Sequence, residues 1–139
     1  MSKKLIALPI LLAFVAFGCG KANKYADVKE VLTDTVKIQE TYISAMQKAA
    51  NAGDVIAAVK GFGEGMSKLL PKVKELDKKY PELKDKKDIP ADLKPLMDQI
   101  EANNKKLEEA AKPIMAKYMK DPNVLKAMAE MGKSLGGME

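Results

Sequence analysis

The chain has 139 residues, of which 47% are hydrophobic but only 5% aromatic, and it carries a formal net charge of +5. It contains no histidine, which removes the commonest general base and the usual haem ligand. It also contains no arginine, the preferred residue for bidentate recognition of phosphate and bases. This composition argues against an enzyme, a bound cofactor and a nucleic-acid partner. It favours a single domain with an aliphatic helical core.

The first residues have the three parts of a secretory signal. Lys3 and Lys4 form a basic start, residues 5–17 are apolar, and small residues follow. The apolar run is shorter than the roughly 20 residues that a membrane-spanning helix needs. We therefore expect residues 1–18 to be removed as a signal peptide. Its removal takes away two of the 24 basic residues, against 19 acidic ones, and lowers the net charge to +3.

The only cysteine of the chain ends this leader. The tetrapeptide Ala16-Phe17-Gly18-Cys19 resembles the relaxed lipobox of bacterial lipoprotein precursors. That resemblance implies that the Cys19 thiol receives diacylglycerol and that the chain is cleaved before this residue. Fatty acids such as palmitate would then anchor the protein to a membrane, and residues 19–24 would form a short tether.

The destination of the exported chain depends on Cys19 and its neighbours. In enteric lipoproteins an aspartate after the lipidated cysteine favours the inner membrane, so the resemblance with Gly20 at this position favours the outer membrane. The domain would face the periplasm or the cell surface. The alternative is ordinary signal peptidase, whose small-x-small rule Ala16 and Gly18 also satisfy. That cleavage would release a soluble chain with one free thiol.

The first predicted helix covers residues 25–52, where apolar or small residues recur every three or four positions. Ala52 and Gly53 are expected to end this helix, and Asp54 to cap the next one. The apolar stripe of the first helix consists of Tyr25, Val28, Val31, Leu32, Thr35, Ile38, Tyr42, Ala45, Met46 and Ala49.

The second predicted helix, residues 55–80, has the most regular apolar pattern, with steps of four and three residues as in a coiled-coil seam. We expect Gly61 and Gly65 to mark either the close approach of a neighbouring helix or a local bend, and Pro71 to disturb the helix. A phosphate-binding loop is disfavoured because such glycine runs follow a strand. The seam consists of Val55, Val59, Phe62, Met66, Leu69, Val73, Leu76 and Tyr80.

A charged segment bounded by prolines, residues 82–90, follows the second helix and is the predicted interaction loop. Its candidate contact residues are Glu82, Leu83, Lys84 and Asp85.

The third predicted helix begins near residue 91 and ends near residue 118. Pro113 predicts a kink, and Asn104 either sets the register of the bundle or lies at the wet edge of the seam. The seam of this helix consists of Leu93, Met97, Ile100, Asn104, Leu107, Ala111, Ile114 and Tyr118.

Asp121 and Pro122 are a typical N-cap and first residue of a fourth, shorter helix. Its apolar face carries Val124, Leu125, Met128, Met131 and Leu135. The sequence thus predicts an all-α fold in residues 25–139, an up-down bundle of three long helices and one shorter C-terminal helix.

Four methionines around the turn between the third and fourth helices are a candidate metal site. Thioethers bind Cu(I), but methionine is also a flexible core filler, and neither Cys nor His joins the set. These methionines are Met115, Met119, Met128 and Met131.

The favoured hypothesis is a membrane-anchored lipoprotein that acts as a structural or macromolecule-binding protein of the cell envelope. The alternative is a periplasmic chaperone-like protein, or a binder of a small apolar ligand or Cu(I), with a groove opened by the interrupted helices.

Overall fold

The described part of the chain is predominantly helical. The computed structural model describes residues 24–84 and 89–136, which form the helices α1 (Ala26–Lys48), α2 (Ala52–Lys79), α3 (Lys94–Tyr118) and α4 (Pro122–Leu135). One 3-10 helix, Pro81–Lys84, follows α2. These two stretches contain no strand, so the predicted all-α class is confirmed. The predicted signal peptide and Cys19 lie outside the described residues.

Three extensive interfaces hold the helices together and join α1 to α2, α1 to α3, and α2 to α4. Helices α1 and α3 run in the same direction. Near their middles the side-chain amide of Gln39 donates to Asn104 Oδ1 at 2.8 Å, and near their C-terminal ends the Tyr118 hydroxyl donates to the Ala50 carbonyl at 3.0 Å. The packing of these helices confirms a helical bundle.

Helices α2 and α4 also run in the same direction. Ile56 and Asn123 line one surface depression, and further along both helices Gly63 lies against Met131. The chain therefore alternates in direction from one helix to the next, while the two parallel pairs are close neighbours. Helix α1 lies between α2 and α3, which explains its broad buried face. The buried residues of α1 are Val28, Val31, Val36, Gln39, Ile43 and Met46.

The core has two parts, one at each end of the bundle. At the upper end, where α1 ends and α2 and α4 begin, the buried cluster consists of Met46, Val55, Ala58, Val59, Val124 and Ala127. At the opposite end, which we call the base, α1 and α3 begin and α2 ends. The buried residues there are Val28, Tyr80 and Leu93.

The turn between α1 and α2 lies earlier than the sequence predicted. Helix α1 ends at Lys48, and Asn51 rather than Asp54 caps α2, because Asn51 Oδ1 accepts the Asp54 backbone N–H at 3.0 Å. The Asp54 carboxylate in turn accepts the Ala50 N–H at 2.9 Å. This reciprocal pair resembles a capping box, which satisfies two free backbone donors at once and places Gly53 inside the first turn of α2.

The glycines of α2 have different surroundings. A Cβ atom at Gly65 would lie 3.1 Å from Ile38 Cγ1 of α1, so the predicted close approach of a neighbouring helix is confirmed there. At Gly63 a Cβ atom would meet Met131 Cγ of α4 at 3.1 Å. Nothing lies within 4 Å of such an atom at Gly61. Of the two alternatives predicted for Gly61, close approach of a helix is wrong because this residue lies on the solvent face.

The polar residues that the sequence places at the start of α4 and on the seam of α3 both take predicted positions. Asp121 caps α4 as predicted, because its Oδ1 accepts the N–H groups of Asn123 and Val124 at 2.8 and 3.3 Å. In α3, Asn104 is exposed at the edge of the α1–α3 interface, which is one of its two predicted positions, and the one buried residue is the neighbouring Asn103. Helix α3 contacts α1 along one side only, which leaves its apolar seam half-buried.

Prolines inside α2 and α3 do not end these helices. Pro71 lies within the 28 residues of α2, and Pro113 within the 25 residues of α3. Among the described helices, none combines the length and the hydropathy that crossing a membrane requires.

Candidate binding groove at the base of the bundle

Among the described α-helices, three reach the base of the bundle and four reach the upper end. Helix α4 has 14 residues, and near its end Met131 lies against Gly63 of α2. Helix α2 continues from there to Lys79, about 24 Å further at 1.5 Å per residue. In the described part of the chain, the lower half of α2, which ends at Lys79, packs against α1. It has no second neighbour that corresponds to α4, which packs against the upper half of α2.

A mostly apolar groove of about 180 Å³ occupies this position. Val73, which is 38% exposed, lies on its open side, and Asp77 is the one charged side chain among the described residues of its lining. Helices α1, α2 and α3 all contribute to it. The lining residues are Val28, Val31, Leu32, Val73, Leu76, Asp77, Tyr80, Leu83, Ile89, Leu93 and Met97.

The floor of the groove is formed by buried side chains that pack against one another. Val28, Tyr80 and Leu93 are buried there, and the rings of Tyr25 and Tyr80 meet edge to face with their centroids 5.1 Å apart. Aromatic pairs prefer this geometry, which fixes both rings. The groove therefore has a preformed floor, and its upper rim is the part open to solvent.

Hydrogen bonds below the floor join the start of α1 to the end of α2. The Tyr80 hydroxyl lies 2.7 Å from the Lys24 carbonyl oxygen and 3.0 Å from Asp27 Oδ1, so its single hydrogen is shared between two acceptors. Lys79 Nζ lies 2.6 Å from Asp27 Oδ2. The hydrogen bond from Lys79 lowers the pKa of the Asp27 carboxyl, and the same bond raises the pKa of Lys79.

A second ion pair connects α1 to the 3-10 helix. Lys24 Nζ lies 2.8 Å from Glu82 Oε1, and the Tyr25 hydroxyl donates to the same oxygen at 3.2 Å. The hydrogen bond from Lys24 lowers the pKa of Glu82, and this bond raises the pKa of Lys24. We call these contacts the basal polar network. It consists of Lys24, Tyr25, Asp27, Lys79, Tyr80 and Glu82.

The structure places part of the predicted interaction loop beside this groove. Glu82, Leu83 and Lys84 belong to the 3-10 helix, in which Leu83 is half-buried against the groove and Lys84 is exposed. Glu82 belongs to the basal polar network. Asp85 and the predicted lipidation site, Cys19, lie outside the described residues.

The predicted methionine site lies at the other end of the bundle. Met115, Met128 and Met131 are half-buried against the upper core cluster, whereas Met119 is 60% exposed. Three of the four thioethers therefore contribute to packing of the upper core. Within residues 24–84 and 89–136, no three Asp, Glu, Cys or His side chains are grouped so that they could hold a metal ion.

Two further polar residues, which the sequence did not single out, lie in the α1–α3 interface. Gln39 and Asn103 are buried, and Gln39 Oε1 and Asn103 Nδ2 have no hydrogen-bond partner among the described residues. Gln39 follows Val36 by three residues and precedes Ile43 by four, and Asn103 stands in the same relation to Ile100 and Leu107. Both amides therefore occupy positions that continue an apolar pattern with steps of three and four.

Comparison of the chain with protein-family models, with curated proteins and with solved structures gives no match.

Proposed function

We propose that this protein is a lipid-anchored lipoprotein of the bacterial cell envelope, whose helical domain binds another macromolecule. The domain is a bundle of three long helices and one shorter helix, and it acts without a cofactor and without catalysing a reaction. The observation that carries the binding role is the apolar groove at the base. Its open side exposes Val73, in a domain whose other large hydrophobic side chains are mostly buried or half-buried.

The anchor in this proposal rests on the leader and on Cys19. After removal of residues 1–18, a tether of about six residues separates the lipid from α1 and spans at most about 20 Å. The base of the bundle, where α1 begins, would therefore lie next to the membrane. One fatty chain gives marginal, reversible membrane binding, whereas two or more chains hold a protein stably, which fits diacylglycerol on the cysteine.

The anchor can be tested with the full-length chain in a bacterial host grown with labelled palmitate. We expect the wild-type protein to carry the label and to sediment with membranes. Globomycin, which inhibits lipoprotein signal peptidase, should cause the precursor to accumulate, and Cys19→Ser should abolish the label. Ser2→Cys in the Cys19→Ser background is the matched control, because it restores a thiol at a position outside the lipobox. Mature wild-type protein in the soluble fraction would contradict the proposal.

The groove also favours a second candidate, a chaperone-like protein or a binder of a small apolar ligand. Its lining is apolar on three helices, and it is preformed rather than filled by side chains of the described residues. The two candidates differ in what occupies the groove.

A further inference from the structure

We infer that the groove at the base binds one amphipathic α-helix of a partner protein, placed as a continuation of α4. This inference rests on the proposed macromolecule-binding function and names the chemistry of the partner. It depends on the continuity of the groove with the α2–α4 interface, on the hydrogen-bonding capacity of the lining, and on the open side of the groove.

The groove continues an interface that already accepts a helix. In the upper half of α2, Val59 and Gly63 face α4. Because an α-helix nearly repeats its face every seven residues, Val73 and Asp77, two repeats further along, lie on a similar side of α2. Both line the groove. Helix α4 itself ends at Leu135, four residues beyond Met131, so a helix that followed it downward would meet the same side of α2 over about 12 residues, or roughly 18 Å.

The lining excludes an extended peptide as the preferred occupant. Among the described lining residues, only Asp77 and Tyr80 carry polar side-chain atoms, and the Tyr80 hydroxyl is already engaged with Lys24 and Asp27. An extended backbone against such a surface would leave N–H and C=O groups unpaired, and each buried unpaired group is costly. A helix satisfies these groups internally and requires no polar atoms from the groove.

The open side of the groove disfavours an acyl chain. An acyl chain is apolar on all sides, so it would remain partly exposed to water above Val73. The anchor's own chains would also have to leave the bilayer, at about 0.8 kcal/mol per CH₂. An amphipathic helix matches both environments, because its apolar stripe contacts the groove while its polar face meets solvent. The Asp77 carboxylate predicts a lysine or arginine at the edge of that stripe.

The occupant can be identified by crosslinking with the full-length protein in the producing bacterium. The photoreactive residue p-benzoylphenylalanine replaces Val73 in one variant and Leu125, which is 48% exposed on α4, in a second. We expect the Val73 probe to react with one segment of another protein. Mass spectrometry should show reacted positions three or four residues apart. Crosslinks to a second copy of this chain, to lipid, or to positions two residues apart would overturn the inference.

A charge reversal provides the matched control. Asp77→Lys should lower the yield of the Val73 crosslink about tenfold by repelling the basic residue of the partner. Glu130→Lys, which makes the same charge change on an exposed position of α4, should leave the yield unchanged. If the two variants gave the same yield of the Val73 crosslink, the predicted contact between Asp77 and a basic residue of the partner would be contradicted. Circular dichroism of each purified variant verifies that the fold is retained.

The same experiment separates failure of this inference from failure of the proposed function. If the Val73 probe gives no product while the Leu125 probe captures a macromolecule, the groove is not the binding site and the binding function stands. If neither probe captures a macromolecule although the protein is membrane-bound, both the inference and the binding function fail.

Discussion

Alanine substitutions of three glycines in α2 would test the packing of this helix against its two neighbours. In a helix interior, Gly→Ala stabilises by about 0.5–1 kcal/mol, because alanine loses less backbone entropy on folding. At Gly61 nothing lies within 4 Å of the new methyl group, so Gly61→Ala should show the full gain. For a domain of this size, this gain corresponds to a rise in Tm of about 2–5 °C.

The same substitution at Gly65 should lower stability. The new methyl group would lie 3.1–3.2 Å from three atoms of Ile38, whose β-branched side chain has little rotamer freedom in a helix. Overpacking of this kind costs about 1–3 kcal/mol, which exceeds the gain in propensity. At Gly63 the methyl group meets Met131, a more adaptable side chain, so we expect a net change near zero.

Thermal and urea unfolding, followed by circular dichroism at 222 nm, would measure these differences. The expected order of stability is Gly61→Ala, then wild type and Gly63→Ala, then Gly65→Ala, with about 1–3 kcal/mol between the extremes. If Gly65→Ala matched Gly61→Ala, α1 could not approach α2 at Ile38 as closely as described, and the assignment of the two glycines to different surroundings would be refuted.

Three further predictions concern single side chains. Asn51→Ala should lower the free energy of unfolding by about 1 kcal/mol in urea titrations, since it removes the cap of α2, and an unchanged midpoint would contradict the capping role. Asn103→Leu should raise stability by about 1 kcal/mol in the same assay, because it removes a buried amide nitrogen without a partner; a loss instead would indicate that this nitrogen is hydrogen-bonded. Because the pKa of Asp27 is lowered in the folded state, its ionised carboxylate stabilises the fold at pH values above its ordinary pKa of 3.8. This stabilisation is lost as the pH falls through the folded-state pKa. Asp27→Asn should therefore flatten the acid limb of a Tm-against-pH curve, and an unchanged acid limb would show that the bond to Lys79 adds no stability.

Apolar periodicity predicted the helices well but not their ends. Each of the four predicted helices has a counterpart in the structure, because a stripe with steps of three and four residues needs only a neighbour on one side to become a buried face. Helix α1 ends at Lys48, four residues earlier than the pattern predicts. Asn51 and Asp54 can both cap a helix, and only the hydrogen bonds decide that Asn51 is the N-cap and Asp54 the third residue: Asn51 Oδ1 accepts the Asp54 N–H, and the Asp54 carboxylate accepts the Ala50 N–H.

The sequence does not predict which helices are neighbours in the bundle. The seam of α3 is nearly as regular as that of α2, yet α3 has one extensive interface, with α1, whereas α2 has interfaces with both α1 and α4. Periodicity shows which face of a helix is apolar but not how many partners cover it. Ile100 and Leu107 are seven residues apart, so the pattern fits position 103 as well as position 104, and only the packing of α3 shows that the buried amide is that of Asn103.

The groove could not be predicted from any one motif. It arises because α4 ends about halfway along α2, so its existence depends on the lengths of two helices and on their being neighbours. Its position beside Leu83 does give the predicted interaction segment a structural setting. A signal was present in the apolar residues of the lower half of α2, which continue the seam beyond the reach of the short fourth helix.

The basal polar network explains how the base can remain folded with an open apolar groove above it. The buried cluster there is smaller than the one at the upper end, and exposed apolar surface contributes no burial free energy. Tyr80 offsets the smaller buried cluster in two ways. Its ring forms part of the groove floor, and its hydroxyl hydrogen-bonds to Lys24 and Asp27 at the start of α1. A helix that entered the groove would bury the rim without displacing these contacts. Binding would then require little rearrangement of the base, which keeps the entropic cost of ordering it low.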